Sequence, residues 1–192
     1  MSEWNPHGPA VANVLQLRVS LVDFEPEVWR RVLVPDLIAL PKLHRVLQEL
    51  MLWWDYHLHV FEIGDDVFGQ PELDEDEDFN WHNERGVKVS SRLRVGDSFE
   101  YTYDFGDNWH LRVELEAVLG VRTRLKHAVC VAGEHAAPPE DVGGVGGFQE
   151  FLDALADPRH DEHEDYVEWS GGNYDFDSLD LAEINARLQQ VR

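Results

Sequence analysis

Cysteine is almost absent from this 192-residue chain, where Cys130 stands alone. No disulfide can form within the chain, and no cysteine-based zinc site can be assembled. Basic residues are scarce too. Sixteen Lys and Arg stand against 38 Asp and Glu, a formal net charge of −22 at neutral pH. Three of the sixteen are lysine: Lys42, Lys88 and Lys126. A surface of this sign repels phosphate backbones, whose neutralisation drives non-specific nucleic-acid binding, so direct binding to duplex nucleic acid is not expected. Cations and basic protein surfaces are easier partners, and a protein partner is expected. No apolar run approaches the roughly 18 residues of a membrane-spanning helix. The opening MSEWNPHGPAVANV has neither the basic nor the apolar region of a secretory signal. The expected location is the cytoplasm, without membrane contact.

What is present is an ordinary globular composition, 43% apolar with seven tryptophans. A chain of this length buries roughly 70% of its unfolded surface and needs no staple. Residues 1–13 read as a flexible tail and 14–192 as a single domain. Leu15, Leu17, Val19 and Leu21 alternate with polar residues, as in a half-buried strand, and VWRRVLV (28–34) supplies a hairpin partner. Pro41 suits a first helical position. Leu43, Val46, Leu47, Leu50 and Trp54 then recur at helical spacing, which predicts a helix over 41–54. HLHVFEI (57–63) places His57, His59, Phe61 and Ile63 on one face and is largely apolar on both, as in a central strand.

Residues 87–94 are expected to form a short strand, and 99–105 with 109–115 a second hairpin. Residues 130–147, rich in Pro and Gly, read as a long loop. Phe148, Phe151, Leu152 and Leu155 predict a short helix stopped by Pro158, and 159–169 a further helix ended by Gly171 and Gly172. Asp180 with Glu183 resembles a capping box opening a last helix that carries Leu181, Ile184 and Leu188. The order predicts an α+β fold. Its sheet is mixed and mostly antiparallel, with a ββαβ start of β-grasp-like order and C-terminal helices packed on it.

The densest chemistry lies in YDFGDNWH (103–110). Keeping Phe99, Tyr101, Tyr103 and Phe105 on one face with Trp109, Leu111, Val113 and Leu115 requires a loop of odd length, with Gly106 or Asn108 supplying positive φ. A three-residue loop sets Asp104 beside His110, and a five-residue loop is expected to keep that pairing. That pair can orient a base or a metal ligand, or can merely steady the hairpin by under about 1 kcal/mol. His160, His163 and Glu164 fall at helical spacing that can hold a metal, although no zinc-protease pattern is met. The ELDEDED run (72–78) has six acids in seven residues but lacks the Gly and distal Glu of a calcium loop, and reads as a solvated loop. GGVGG (143–147) precedes a helix but meets no phosphate-loop fingerprint, and reads as a flexible helix entry. Cys130, in an apolar VCVAG run, reads as a buried thiol.

LHRVLQ, HLHVF, YDFGDNW, GEHAAPPEDVGG, DPRHDEHEDYVEW and DLAEIN occur in this order across nearly the whole chain. Together they resemble the plasmid pRiA4b ORF-3-like family. The resemblance implies a compact α+β fold and leaves activity open. The family-like positions it carries over are Asp104, Gly106, Asp107 and Trp109 in the hairpin. In the loop they are Gly133, Glu134, Pro138, Pro139, Glu140, Asp141, Gly143 and Gly144, and in the late helix His160, His163, Glu164 and Trp169. The chain departs at His135 and Ala137, where the resemblance leads one to expect Arg and Cys.

Three functional readings follow. The first is a non-enzymatic binding or regulatory module, associated with mobile elements, whose acidic recognition surface is built from Asp107, Trp109, Glu134, Glu140 and Asp141, since no catalytic motif is complete. The second is a metal-dependent hydrolase or nuclease-like enzyme in which Asp104, His110, His160, His163 and Glu164 converge on one divalent ion. The third is an acidic mimic of nucleic acid that occupies a DNA-binding partner.

Overall fold

The computed structural model describes residues 12–73 and 80–191. Alternation along the strands decides which face is covered. In β1 (Ala12–Leu21) the residues Leu15, Leu17, Val19 and Leu21 are buried, while Gln16, Arg18 and Ser20 are half-buried. β2 (Trp29–Pro35) repeats the pattern and pairs antiparallel with β1. β1 begins at Ala12, so the last two residues of the expected tail are strand; residues 1–11 lie outside the described residues, as do 74–78 of the acidic run.

α1 (Leu40–Leu50) buries Leu43, Val46, Leu47 and Leu50. It stops four residues short of the expected end, because Trp53 N turns back to Gln48 O at 3.0 Å. The chain then runs through an irregular connector, 51–58, with Leu52 and Asp55 at φ of 58° and 60°. β3 (His59–Ile63) lies between β4 (Asp66–Gly69) and β6 (Ser98–Tyr103), the central position expected of it. β5 (His82–Asn83) adds a short edge. β7 (Trp109–Val121) and β8 (Val129–Glu134) complete an eight-stranded sheet of order β5-β4-β3-β6-β7-β1-β2-β8. All pairs are antiparallel except β4–β5, which makes the sheet mixed. The fold is thus α+β, as the element order predicts.

Two sequence expectations are corrected here. Residues 87–94 are not a strand: Lys88 makes a single bridge to Ala39, and Val89–Ser91 is a turn of 3-10 helix. The expected loop 130–147 begins as strand β8, paired with β2. Gly133 is required there, since a Cβ would sit 2.6 Å from Trp29 O. β7 carries a bulge against β1, where Gln16 pairs with Ala117 and Leu17 with Leu115. The bulge presents Glu116 to Arg31, which grips it with two bonds of 2.6 and 2.7 Å.

α2 (Gly144–Ala156), α3 (His163–Trp169) and α4 (Leu181–Leu188) close the chain. Phe148 and Phe151 of α2 and Ile184 and Leu188 of α4 join one core cluster with α1 and the inward residues of the sheet. Each such side chain contributes roughly 1.5–3 kcal/mol on burial. An exposed ion pair such as Arg159–Asp157 is screened by solvent and adds little, so packing holds the fold. Among the described residues no helix is long and apolar enough to cross a membrane.

Candidate functional site

The β6–β7 hairpin sets Tyr103 opposite Trp109 and Thr102 opposite His110, with 104–108 as the loop. The loop is odd, as the aromatic face demands, but at five residues it does not keep the expected pairing of Asp104 with His110, because both added residues, Asp104 and Phe105, come from the β6 side while Trp109 still opens β7. Those two residues are therefore not neighbours across the ladder. Asp104 and Asn108 both take positive φ, 55° and 57°. Asp104 N donates to Leu58 O at 2.9 Å, and Gly106 N donates to Asp104 Oδ1 at 2.9 Å. These bonds turn the largely buried Asp104 carboxylate toward the connector, where His57 Nε2 lies 3.6 Å from Asp104 Oδ2. His110 stays half-buried opposite Thr102.

The PPEDVGG loop docks on this tip. Gly143 N donates to Asp107 Oδ2 at 3.0 Å. Gly144, at φ 67°, follows so closely that a Cβ would meet Asp107 O at 2.3 Å. Glu140 accepts from the Tyr103 hydroxyl and from Trp54 N, the latter at 2.7 Å. Tyr103 Oη in turn accepts from Tyr56 N at 2.9 Å and His57 N at 3.3 Å. Burial, with the Glu140 hydrogen bond, pushes the Tyr103 phenol well above its ordinary range, so it remains a donor. Asp141, at φ 62°, places Oδ1 3.1 Å from His57 Nε2. One donor atom each from His57, Asp104 and Asp141 then lies within 4.8 Å of the others, the one such group of three among the described residues.

The sequence pattern places His57 in a strand beside His59. It leaves the strand because Tyr103 takes its backbone N–H. The signal for its place beside the hairpin tip is the occurrence of HLHVF with YDFGDNW in one family-like set.

The other sequence candidates are placed apart. Trp109 is fully buried, its ring 5.8 Å from that of Trp53, so it is core and not recognition surface. Glu134 ends β8 at the sheet edge, accepts from Trp29 Nε1 at 3.1 Å, and has β1 and β2 between it and the hairpin. The five-residue metal set is not assembled. α3 begins at His163, so His160 precedes the helix and helical spacing does not apply to it. His163 donates from Nδ1 to Ala154 O at 2.8 Å, tying α3 to α2, and His160 Nδ1 accepts from Glu162 N at 3.2 Å. Glu164 is exposed. α3 reaches the loop through other residues: Tyr166, Trp169, Glu162 and Asp165 enclose, with Asp141 and Val142, a cleft of about 390 Å³.

A second arrangement leaves no local signature in the sequence. A cavity of about 470 Å³ is lined by His44, Asp55, His57, His59, Gln70 and Trp81, among others. The His44 and His59 rings stack 3.6 Å apart. Gln48 Nε2 donates to Tyr101 Oη at 3.0 Å, and Tyr101 Oη lies 2.7 Å from His44 Nδ1. With Gln48 donating, the Tyr101 proton goes to Nδ1, which leaves His44 Nε2–H to donate to Asp55 Oδ1 at 2.8 Å. This pattern suits a neutral imidazole, and burial holds the His44 pKa below its ordinary value. His59 Nε2 pairs with buried Glu84 Oε2 at 3.0 Å.

A model of plasmid pRiA4b ORF-3-like proteins matches residues 13–183. The chain belongs to the plasmid pRiA4b ORF-3-like family. The uncharacterised protein y4hQ of Sinorhizobium fredii is 40% identical over 186 residues, which cover 94% of this chain and 93% of that protein. The crystal structure of a protein of unknown function from Methanosarcina mazei matches with a TM-score of 0.81 and 36% identity, over 90% of this chain and 97% of that one. The relatives assign no activity, so function must be argued from the site. Of the pRiA4b-like positions, Asp104, Asp107, Glu140, Asp141, Gly143 and Gly144 meet where hairpin and loop join. At the two departures, His135 stacks on Phe176 with centroids 4.4 Å apart, and the buried Ala137 accepts from Tyr174 Oη at 3.1 Å through its carbonyl.

Proposed function

We propose that this pRiA4b ORF-3-like chain is a non-enzymatic binding module that takes a basic side chain of a protein partner on the acidic surface formed by the hairpin tip, the PPEDVGG loop and α3. One observation carries the reading. Tyr166 and Trp169 stand nearly perpendicular, at 79° with centroids 6.4 Å apart, and Asp141, Glu162 and Asp165 border the same cleft. Trp169 is 50% exposed, so part of its ring is open to a partner. A guanidinium or ammonium group on an aromatic face gains roughly 0.5–2 kcal/mol. Carboxylates at the rim add steering that salt screens. The net charge of −22 has the sign this partner requires.

The test is calorimetric titration with short Arg-rich and Lys-rich peptides. Binding should weaken as salt rises, and Trp169→Ala should weaken it by about fivefold, the equivalent of roughly 1 kcal/mol. Trp54→Ala is the control, since Trp54 is exposed but sits under Arg187. Equal losses in both variants, or none in Trp169→Ala, would overturn the reading.

A further inference from the structure

We propose that His57, Asp104 and Asp141 bind one divalent first-row transition-metal ion, which fastens the connector after α1, the hairpin tip and the PPEDVGG loop to one another. The site goes beyond the recognition of basic side chains and does not rest on it, although Asp141 borders both places.

The distances suit an ion. His57 Nε2 lies 3.1 Å from Asp141 Oδ1 and 3.6 Å from Asp104 Oδ2, and the three donor atoms all fall within 4.8 Å of one another. Donors bound at about 2.0–2.2 Å in tetrahedral geometry stand roughly 3.3–3.6 Å apart, so the loops need little movement to take a metal.

Proton bookkeeping points the same way. A single N–H on His57 Nε2 can aim well at one carboxylate. Asp141 is within hydrogen-bond distance of that nitrogen, and Asp104, at 3.6 Å, is beyond it. Two carboxylates thus converge on a nitrogen that can serve one of them. Replacing the proton with a divalent cation satisfies all three groups and balances the two negative charges.

The donors are also held without the ion. Asp104 is fixed through Leu58 O and Gly106 N, and His57 through its backbone N–H on Tyr103 Oη. Asp141 is flanked by Glu140, bonded to Tyr103, and by Val142 and Gly143, the latter bonded to Asp107. Donors fixed in advance lose less freedom on binding. One imidazole and two carboxylates favour zinc, manganese or iron(II) over calcium, which takes six to eight oxygens, and over soft ions, which prefer thiolate. Three protein ligands leave positions open for water.

The experiment uses the full, untagged chain after chelator treatment, titrated separately with ZnCl₂ and MnCl₂ by calorimetry, with electron paramagnetic resonance counting free Mn²⁺. At least one of the two metals should bind one ion per chain. His57→Ala and Asp104→Asn should lose about 100-fold or more in affinity, beyond the 10–100-fold typical of losing an outer partner. Asp141→Asn changes an exposed side chain and serves if Asp104→Asn fails to fold. His160→Ala and Trp169→Ala should bind as the parent does. The proposal is overturned if neither metal binds one to one, if His57→Ala and Asp141→Asn bind unchanged, or if His160→Ala loses the ion, which would move it to the late helix. Trp169→Ala tests the peptide cleft and His57→Ala the ion, so failure of one reading is distinguishable from failure of the other.

Discussion

The GGVGG run offers a sharp test of how the hairpin tip and the loop fit together, because its glycines are not equivalent. Gly144 sits at φ 67°, and a Cβ there would lie 2.3 Å from Asp107 O. Left-handed backbone costs a non-glycine residue roughly 1–2 kcal/mol. Forcing a methyl against a carbonyl that is itself backbone costs about 1–3 kcal/mol more. Gly144→Ala should therefore destabilise the chain by about 2–5 kcal/mol. Gly147 has ordinary φ, but its Cβ would meet Val142 O at 2.0 Å, so Gly147→Ala should also destabilise. Gly146 lies between them in α2 with nothing within 4 Å of its would-be Cβ. There alanine removes only the entropic cost of glycine in a helix, and Gly146→Ala should stabilise by roughly 0.5–1 kcal/mol. Urea unfolding followed by far-UV circular dichroism reads the series. With a slope of about 2 kcal/mol per molar, Gly144→Ala should lower the midpoint by roughly 1 M or more, while Gly146→Ala raises it slightly. If Gly144→Ala unfolds at the parental midpoint, or Gly146→Ala falls as far as it does, the close docking of loop on tip is wrong.

Three further outcomes are expected. Tyr103→Phe leaves Glu140 with Trp54 N and strips the acceptor from the Tyr56 and His57 N–H groups; a loss of about 2–4 kcal/mol in urea unfolding is expected from one charge-assisted bond and two orphaned donors. Asp180 caps α4 by accepting from Ala182 N and Glu183 N, both at 2.9 Å, and Asp180→Ala should cost about 0.5–2 kcal/mol in the same assay. Burial depresses the His44 pKa in the fold, so below about pH 6.5 the unfolded chain takes up a proton that the fold resists. The stability His44 contributes is full above that pH and is lost as pH falls toward the folded value. The unfolding midpoint of the parent should therefore drop more steeply as pH falls below about 6.5 than that of His44→Gln, and equal slopes would refute the neutral assignment.

Local pattern was enough where one face of an element is buried and the other is not. The alternation Leu15, Leu17, Val19, Leu21 is buried as written, and the Asp180 cap forms with the bonds its spacing implies. Pattern failed where the cause lies far along the chain. VCVAGE has no clean alternation, yet it is strand β8, because β2 offers it an open edge and Gly133 admits Trp29 O. The aromatic face of β6 and β7 demands an odd loop but cannot choose between three residues and five. That choice falls to Asp104, whose N–H bonds Leu58 O and whose carboxylate bonds Gly106 N, and Leu58 is remote in sequence.

The same distinction explains the site. Asp104, Asp107, Glu140 and Asp141 were legible because two polar, Gly-bearing segments carried them, and the fold brings those segments into contact. His57 was not, because HLHVFEI alternates well enough to hide it in a strand. What releases it is the phenol of Tyr103, which accepts the N–H groups of residues 56 and 57 while donating to Glu140. One buried hydroxyl therefore ends a strand, pins the loop and turns an imidazole toward two carboxylates. His160, His163 and Glu164 show the converse error. Their spacing suggests a shared helical face, but the helix starts at His163, and the His163 Nδ1 bond to the Ala154 carbonyl ties α3 to α2. Ligand spacing along a chain has meaning when the element beneath it is continuous. Here the donors that meet come from three separate segments, each held by its own backbone hydrogen bonds.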